Sequence, residues 1–217
     1  MRVLITGTSQ GIGKVVAERF LKEGHEVFGL DFKEPSIQHK NYCHFVCDIS
    51  KKDQLPNIED IEILFNNAGL QNSKDDITNN LKGTINVTEK YAFQKNIKSV
   101  LFNASASARS GFEYPEYAAS KAGVVGYMKN VACRLAKYQA TCNSISLGGV
   151  ITNSNKDVME DEKKWNKIME ATPLKKWMKE EEVAEWVMFL TFVNKSMSGQ
   201  DLLIDNGELN LNNTFVS

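Results

Sequence analysis

Tyr117 and Lys121 lie four residues apart, so their side chains share one face if this stretch is helical. A tyrosine phenol is a weak acid with an ordinary pKa of about 10, and a fixed ammonium nearby favours the phenolate. A phenol in that setting can act as a general acid or base. The same spacing also occurs by chance in exposed helix turns, so the remainder of the chain must decide between the two interpretations.

A glycine-rich segment near the start of the chain contains Gly7, Gly11 and Gly13. It follows an apolar run, Val3 to Thr6, and precedes a helical pattern of apolar residues. Glycines let a backbone approach a pyrophosphate closely, and the free N–H groups at a helix start stabilise its charge. The order Gly-x-x-x-Gly-x-Gly differs from the usual Gly-x-Gly-x-x-Gly fingerprint. A dinucleotide site and an ordinary tight turn therefore both remain open.

Asp31 ends a second predicted strand, His25 to Leu30, at about the distance where a dinucleotide fold places its ribose-binding acid. A carboxylate there accepts hydrogen bonds from ribose hydroxyls and repels a 2′-phosphate, which favours NAD over NADP. Gln10 carries no positive charge that would argue for NADP, whereas Lys33 lies close by. The alternative is a solvated acid at a strand end.

Further strands are predicted, separated by helical segments. They are Tyr42 to Val46, Ile61 to Phe65, Ser99 to Ser105, Thr141 to Ser146 and a closing strand near Leu202. Strands separated by helices imply right-handed crossovers and a parallel sheet. The predicted fold class is α/β, a single-domain Rossmann-type doubly wound parallel sheet of about seven strands with helices on both faces.

Composition excludes several classes of protein. The chain has 217 residues, 42% hydrophobic content and a formal net charge of -1, which suits one domain over residues 1–217. The intermixed charges predict neither a nucleic-acid partner nor a membrane partner. Cys43, Cys47, Cys133 and Cys142 lack the spacing of a metal site, so free thiols and a cytoplasmic location are expected and no metal is predicted.

Five motifs of the chain, in this order, resemble those of the short-chain dehydrogenase/reductase family. They are Thr6-Gly-x-x-x-Gly-Ile-Gly13, Asp31, Asp48-Ile49, Asn66-Asn67-Ala68-Gly69 and Tyr117-x-x-x-Lys121. The resemblance covers nearly the whole chain and extends to 3-oxoacyl-acyl-carrier-protein reductases. The resemblance implies a nicotinamide dinucleotide cofactor, and the carboxylate of Asp31 makes NAD the preferred form. The cofactor-binding residues that it implies are Gly7, Ser9, Gln10, Gly11, Ile12, Gly13, Asp31, Asp48, Ile49, Asn67, Ala68, Gly69, Tyr117, Lys121, Val150 and Thr152.

The resemblance also implies four catalytic residues: Asn80, Ser105, Tyr117 and Lys121. Asn80 lies in a predicted helix, Ile77 to Phe93, where the family's asparagine holds a water that passes protons to the lysine. Counted back from Tyr117, the family's serine position falls on Ala104, and strand phasing favours Ser105 over Ser107. Lys121 is expected to lower the pKa of the phenol. Leu147 stands where the family has a proline, and the segment after Gly69 is shorter than in the family.

The expected activity is reversible hydride transfer between a nicotinamide and a ketone or secondary alcohol, with substrate identity left open. The alternative is an inactive dinucleotide-sensing regulator on the same fold. A helix from Pro115 to Tyr138 carries an apolar stripe that is either plain core or, as in the family, part of a dimer interface. A homodimer or homotetramer is expected. Residues 153–175 are predicted to form a substrate lid, with a surface helix as the alternative.

Overall fold

The main sheet is built from seven strands, and a computed structural model describes residues 1–211 of the chain. The end of the predicted domain, residues 212–217, lies outside the described residues. The strands of the main sheet are β1 (Arg2–Thr6), β2 (Glu26–Asp31), β3 (Tyr42–Val46), β4 (Ile63–Asn66), β5 (Ser99–Asn103), β6 (Thr141–Leu147) and β9 (Asp201–Ile204). A separate small sheet pairs β7 (Val150–Ile151) with β8 (Met178–Lys179).

The strand order in the main sheet is β3-β2-β1-β4-β5-β6-β9, and every neighbouring pair is parallel. The winding direction reverses between β1 and β4. In open sheets of this kind, ligands bind outside the carboxyl ends of the strands at that reversal. The predicted fold class is confirmed, and the sheet places the ends of β1, β4 and β5 side by side.

Helices cover both faces of the sheet. They are α1 (Gly11–Lys22), α2 (Gly83–Tyr91), α3 (Ser107–Ser110), α4 (Pro115–Leu135), α5 (Lys156–Glu160), α6 (Glu162–Ala171) and α7 (Glu180–Met188). Two π-helical segments precede α2 and follow α7, at Ile77–Lys82 and Phe189–Val193. Short 3-10 segments lie at Lys52–Gln54, Ala136–Tyr138 and Asn153–Asn155.

Alternating side chains of the strands supply two separate hydrophobic cores. Val3 and Ile5 of β1 pack with α1 and α7 on one face, whereas Leu4 packs with α2 and α4 on the other. The stripe predicted on α4 is largely core, since Val124 and Met128 are buried there. Because α1 follows β1 directly in the chain, it starts at the carboxyl end of that strand.

The segment predicted as one helix from Ile77 to Phe93 has a different form. It begins as a π-helical turn, Ile77–Lys82, and becomes α-helical from Gly83. Close packing explains the glycine, because a β-carbon at Gly83 would lie 2.9 Å from Cγ1 of Ile49. Wide turns of this type are common at functional sites.

No helix within residues 1–211 is both long enough and apolar enough to span a bilayer. Over the same residues, no group of three or more His, Cys, Asp or Glu side chains is arranged to hold a metal ion.

Candidate active site

The glycine loop forms a cradle between β1 and α1. Gly7 and Gly11 have φ values of 77° and 63°, where a side chain would be strained. A β-carbon at Gly13 would lie 2.1 Å from the carbonyl oxygen of Gly7, so only glycine allows the helix to start this close to the strand. The first N–H groups of α1 have no partner within the helix, which suits a pyrophosphate. The predicted loop residues from Gly7 to Gly13 are therefore brought together.

The ends of three neighbouring strands are tied to one another by polar side chains. Thr6 Oγ1 accepts hydrogen bonds from the N–H groups of Asn67 and Ala68, both at 2.9 Å. Asn67 Nδ2 donates to the Thr6 carbonyl at 3.0 Å, and Asn103 Nδ2 donates to Asn67 Oδ1 at 3.0 Å. This network holds the segment Asn67 to Gly69 against the cradle, as the predicted cofactor contacts require.

Asp31 is a buried carboxylate at the end of β2, with 7% of its surface exposed. Its two oxygens accept the N–H groups of Ser9 and Lys33, each at 2.9 Å. Each oxygen keeps further acceptor capacity for a ribose hydroxyl. Lys33 Nζ donates to Gln10 Oε1 at 2.8 Å, so an ammonium group stands at the same edge of the site.

Asp48 and Ile49 follow β3 in a loop held by hydrogen bonds. Asp48 Oδ1 accepts from the N–H and the hydroxyl of Ser50 at 2.9 and 2.7 Å. Burial alone would raise the pKa of Asp48, but the bonds from Ser50 and the charge of Lys51 outweigh it and lower that pKa. Asn86 Nδ2 donates to the carbonyls of Ile49 and Ser50 at 3.1 and 3.0 Å, which fixes this loop on α2.

Lys121 is buried and points along the carboxyl end of β5. Its Nζ donates to the Asn103 carbonyl at 2.8 Å and lies 5.7 Å from the centre of the Tyr117 ring. Burial lowers the pKa of Lys121 to about 8, opposed by the negative charge of Asp76. The spacing in α4 thus brings the phenol and the amine to one place, as predicted.

The pKa of Tyr117 differs from the sequence-based expectation. Burial raises it to about 12, the neighbouring Ser105 hydroxyl works against this rise, and the charges of Glu113 and Asp76 add to it. Lys121 does not produce the expected lowering in this structure. Burial of the phenol outweighs the groups that favour its ionised form.

Asn80 lies within the π-helical segment and binds the loop that precedes it. Asn80 Oδ1 accepts from the Leu70 N–H at 2.7 Å, and its Nδ2 donates to the Leu70 carbonyl at 2.8 Å. The same Nδ2 lies 3.1 Å from Ser120 Oγ, beside Lys121. A β-carbon at Gly69 would lie 3.2 Å from Asn80 Oδ1 and 3.3 Å from Lys121 Nζ, so these three residues meet.

Ser105 and Ser107 are both buried just beyond β5. Their hydroxyl oxygens lie 3.1 Å apart, and the Ser107 N–H donates to Ser105 Oγ at 3.1 Å. Ser105 is the serine whose hydroxyl favours the phenolate of Tyr117 and lowers its pKa, whereas Ser107 donates to the carboxylate of Glu113. This placement agrees with the preference for Ser105 over Ser107.

Val150 and Thr152 lie on the segment after β6. Val150 belongs to β7, and its carbonyl accepts from Asn155 Nδ2 at 2.9 Å. A β-carbon at Gly149 would lie 1.9 Å from Nε1 of Trp177, so the turn packs tightly on this ring. With Leu147 in place of the family's proline, the small β7–β8 sheet and Trp177 position the turn.

Asp76, Asn103 and Glu113 were not singled out as site residues from the sequence, and Thr6 was named only as the first residue of the glycine motif. Thr6 and Asn103 end their strands, and polar residues at strand ends were the only available signal. Asp76 accepts the N–H groups of Asn72 and Ser73 at 3.1 and 2.9 Å, a local pattern that resembles many ordinary loops.

The comparison with known proteins agrees with this geometry. The family described as enoyl-(acyl carrier protein) reductase matches residues 7–208. The chain is 26% identical to 2-dehydro-3-deoxy-D-gluconate 5-dehydrogenase of Escherichia coli, over 95% of this chain and 94% of that protein. It is 29% identical to the 3-oxoacyl-[acyl-carrier-protein] reductase FabG of Thermotoga maritima, over 94% and 96% of the two chains.

Solved structures show the same fold. Aldohexose dehydrogenase of Thermoplasma acidophilum superposes with a TM-score of 0.82 at 26% identity, covering 95% of this chain and 93% of that one. At 24% identity, ElxO, solved with NADP, gives a TM-score of 0.85 over 97% and 99% of the two chains. At 20% identity, a 4-hydroxyisoleucine dehydrogenase mutant, solved with NADH and succinate, gives 0.86 over 96% and 98%.

The chain belongs to the short-chain dehydrogenase/reductase family. Within that family it is a FabG-like oxidoreductase that acts on CH–OH or keto groups with a nicotinamide cofactor.

Proposed function

We propose that the protein catalyses reversible, NAD(H)-dependent hydride transfer at a ketone or secondary alcohol, with Tyr117 as the acid–base group. The observation that carries this proposal is the buried Lys121 ammonium, fixed on the Asn103 carbonyl beside the Tyr117 ring. Among residues 1–211, Lys121 has no salt bridge, and burying an amine in this way is costly. Groups of this kind cluster at functional sites.

The bound nicotinamide supplies the hydride, which is the step that no side chain can perform. The glycine cradle and α1 would hold its pyrophosphate, Asp31 would hold the adenosine ribose, and Asp48 and Ile49 would line the adenine site. Lys121 would hold the second ribose. Val150 and Thr152 would lie at the carboxamide end. The close-packed glycines support this assignment, since a β-carbon at Gly7 would lie 2.9 Å from Asn67 Nδ2.

In the reducing direction Tyr117 donates its proton to the carbonyl oxygen as the carbon becomes tetrahedral. With a pKa of about 12 the phenol is protonated at neutral pH and ready to donate. Ser105 binds the same oxygen and stabilises its developing negative charge. Lys121 and Asn80 then return a proton to the phenolate from solvent, and the oxidising direction reverses these steps.

Replacement of Tyr117 by Phe tests the mechanism. The variant should lose at least about 99% of turnover, because positioned acid–base catalysis contributes about 10²- to 10⁴-fold. Its affinity for NADH, measured by calorimetry, should stay within about threefold. Tyr127→Phe is the matched control, since Tyr127 lies on the same helix and its hydroxyl donates to Glu89, which is not a residue of the proposed site. Full turnover in Tyr117→Phe would overturn the assignment, and NADH binding without turnover in the parent would favour the dinucleotide-sensing alternative.

The preference for NAD is part of the proposal and rests on Asp31. Its carboxylate would repel a 2′-phosphate, whereas Lys33 would attract one. We expect kcat/KM to be at least about tenfold higher with NADH than with NADPH. Asp31→Asn should narrow this ratio, and Lys33→Ala should lower kcat/KM with NADPH alone. A parent that prefers NADPH would refute this part while leaving the role of Tyr117 intact.

The names of the relatives indicate only broad classes of substrate. One relative is named for a dehydrogenated sugar acid and another for a 3-oxoacyl thioester. We propose that residues 107–114 and the predicted lid, residues 153–175, select the substrate. A panel of sugar acids, aldoses, 3-oxoacyl thioesters and simple ketones, followed by NADH absorbance, identifies the class.

We also propose a cytoplasmic location and a homodimer or homotetramer. The four cysteines are free thiols, which suits a reducing compartment. Sedimentation of the purified chain tests the oligomeric state.

A further inference from the structure

A chain of hydroxyl groups connects the active-site serine to a carboxylate outside the predicted tetrad. Ser105 Oγ and Ser107 Oγ lie 3.1 Å apart, and Ser107 Oγ donates to Glu113 Oε2. Both serines are buried, with 7% and 5% of their surfaces exposed, while Glu113 is exposed at the open side of the site. Glu113 thus reaches the reacting groups through one intervening side chain.

The backbone of Glu113 adopts a conformation that its side chain disfavours. Its φ is 73°, in the left-handed region where glycine is free and other residues are strained. Two residues earlier, Gly111 has a φ of 70° and fits without strain. A glycine at position 113 would relieve the loop, so the carboxylate is held at a conformational cost.

The direction of hydrogen bonding along this chain depends on the carboxylate. An ionised carboxylate only accepts, so the Ser107 hydroxyl must donate to it. Ser107 Oγ then offers a lone pair to Ser105. Ser105 has a single hydroxyl hydrogen, which can go either to Ser107 or to the oxygen of Tyr117, but not to both.

We propose that Glu113 is a positioning residue that turns the Ser105 hydrogen toward Ser107 and away from Tyr117 in the free enzyme. When substrate binds, the Ser105 hydroxyl must turn its hydrogen from Ser107 to the substrate oxygen. Glu113 therefore affects how readily Ser105 donates its hydrogen bond and how readily the Tyr117 phenol ionises. The proposal rests on the proposed function only for the roles of Ser105 and Tyr117.

Several charged groups face the phenol. Lys121 lies on the same helix, Asp76 precedes the π-helical segment and Glu113 precedes α4. On the other side of Glu113, the C-terminal segment contributes Glu208, whose pKa is raised by burial and by the charges of Asp205 and Glu113. Of these groups, Glu113 is the one that also holds Ser107, so its removal has both an electrostatic and a hydrogen-bonding effect.

The test places 3-fluorotyrosine at position 117 of the full chain and follows its ionisation by fluorine NMR, without substrate or cofactor. The fluorine makes the phenol more acidic and reports on this tyrosine alone. Glu113→Gly should lower the titration midpoint by about one pH unit, since it removes the charge and frees the Ser105 hydrogen. Ser107→Ala should lower it by a smaller amount. Glu113→Gln, which removes the charge and keeps an acceptor, should lie between Glu113→Gly and the parent.

Asp60→Gly is the matched control, because Asp60 is another acidic residue with a left-handed φ, 58°, and it bonds to Asn96 at 2.6 Å. Its midpoint should equal that of the parent. Glycine suits the backbone at 113, so Glu113→Gly should keep the parent's melting temperature. Unchanged midpoints in Glu113→Gly and Ser107→Ala, with the fold intact, overturn the proposal. That result is distinct from failure of the proposed function, which would show as turnover in Tyr117→Phe.

Discussion

Lys121 is a lysine in surroundings that favour its neutral form. In the unfolded chain it holds its proton up to about pH 10.5, whereas burial in the folded protein lowers its pKa to about 8. Unfolding therefore takes up a proton between these two pH values. The contribution of Lys121 to the free energy of unfolding rises with pH in this window and is at its least below pH 8.

Lys121→Met removes this contribution together with the activity. We expect the difference in the free energy of unfolding, variant minus parent, to be about 2 kcal/mol larger at pH 8 than at pH 10.5. The variant is thus relatively more stable at pH 8, because the parent gains stability from Lys121 only as the pH rises. Urea denaturation at the two pH values measures the difference. Lys137→Met, at an exposed position, should show no such change. An equal offset at both pH values would mean that the amine titrates normally in the folded protein.

At the level of single residues, the sequence was sufficient to predict which side chains lie close together when their spacing places them on one helix face. Tyr117 and Lys121 share a helix face, so their proximity follows from local geometry. The direction of the Tyr117 pKa did not follow. It depends on burial and on charges from Glu113 and Asp76, which come from other parts of the chain. Asn103 was missed for the same reason, since its carbonyl meets Lys121 across a strand–helix contact.

The π-helical segment is the element that ties the shortened connection after Gly69 to the active site. Asn80 makes two bonds to Leu70 and one to Ser120, and it is buried. Asn80→Ala should lower the free energy of unfolding by about 2 kcal/mol, because the buried amide makes three hydrogen bonds, to the N–H and carbonyl of Leu70 and to Ser120, that the variant loses. Hydrogen exchange of the Leu70 amide should rise at the same time.

Asn79→Ala provides the comparison, because Asn79 makes one longer side-chain bond, 3.2 Å to Ser73 Oγ. Its stability should fall by less than about 0.5 kcal/mol, with no change in Leu70 exchange. If both variants lose the same stability, the segment is held by its backbone rather than by the Asn80 amide.

Elements with strong periodic patterns were predictable, and those without were not. The parallel strands and α4 followed from apolar runs and spacing. The π-helical turn at Ile77–Lys82 could not be distinguished from an α-helix, because its apolar positions are the same. Its tertiary bond from the Leu70 N–H to Asn80 leaves no mark in a local pattern. The two-residue strands β7 and β8 are too short to leave a pattern at all.

For the whole molecule, the doubly wound class was predictable because most strands of the main sheet are separated by helices. The expectation of a helix in every connection was wrong, since β2 leads to β3 through a loop and β3 leads to β4 through the 3-10 turn Lys52–Gln54. The two cores share one sheet, since Val3 and Leu4 of the same strand point into opposite layers. A mutation in one layer should therefore weaken the other. If the chain is a single domain, we expect it to unfold in one cooperative transition.

The tryptophans make this expectation testable. Trp165, Trp177 and Trp186 all lie in the C-terminal part of the chain. Helix α7 packs on the same face of the sheet as α1, in the layer that we call the α1 layer. Met128 is fully buried in the opposite layer. Met128→Ala should lower the free energy of unfolding by about 2 to 5 kcal/mol through the cavity that it creates. Tryptophan fluorescence and far-ultraviolet circular dichroism should nevertheless give one coincident urea transition.

Phe20→Ala, in the α1 layer, should behave alike, with a loss of about 3 to 5 kcal/mol and coincident transitions. In both variants the sheet transmits the damage, because no strand can leave one layer without leaving the other. A fluorescence midpoint that stays at the parent's value in Met128→Ala, while the circular dichroism midpoint falls, would show that the C-terminal elements unfold on their own. The chain would then consist of more than one cooperative unit.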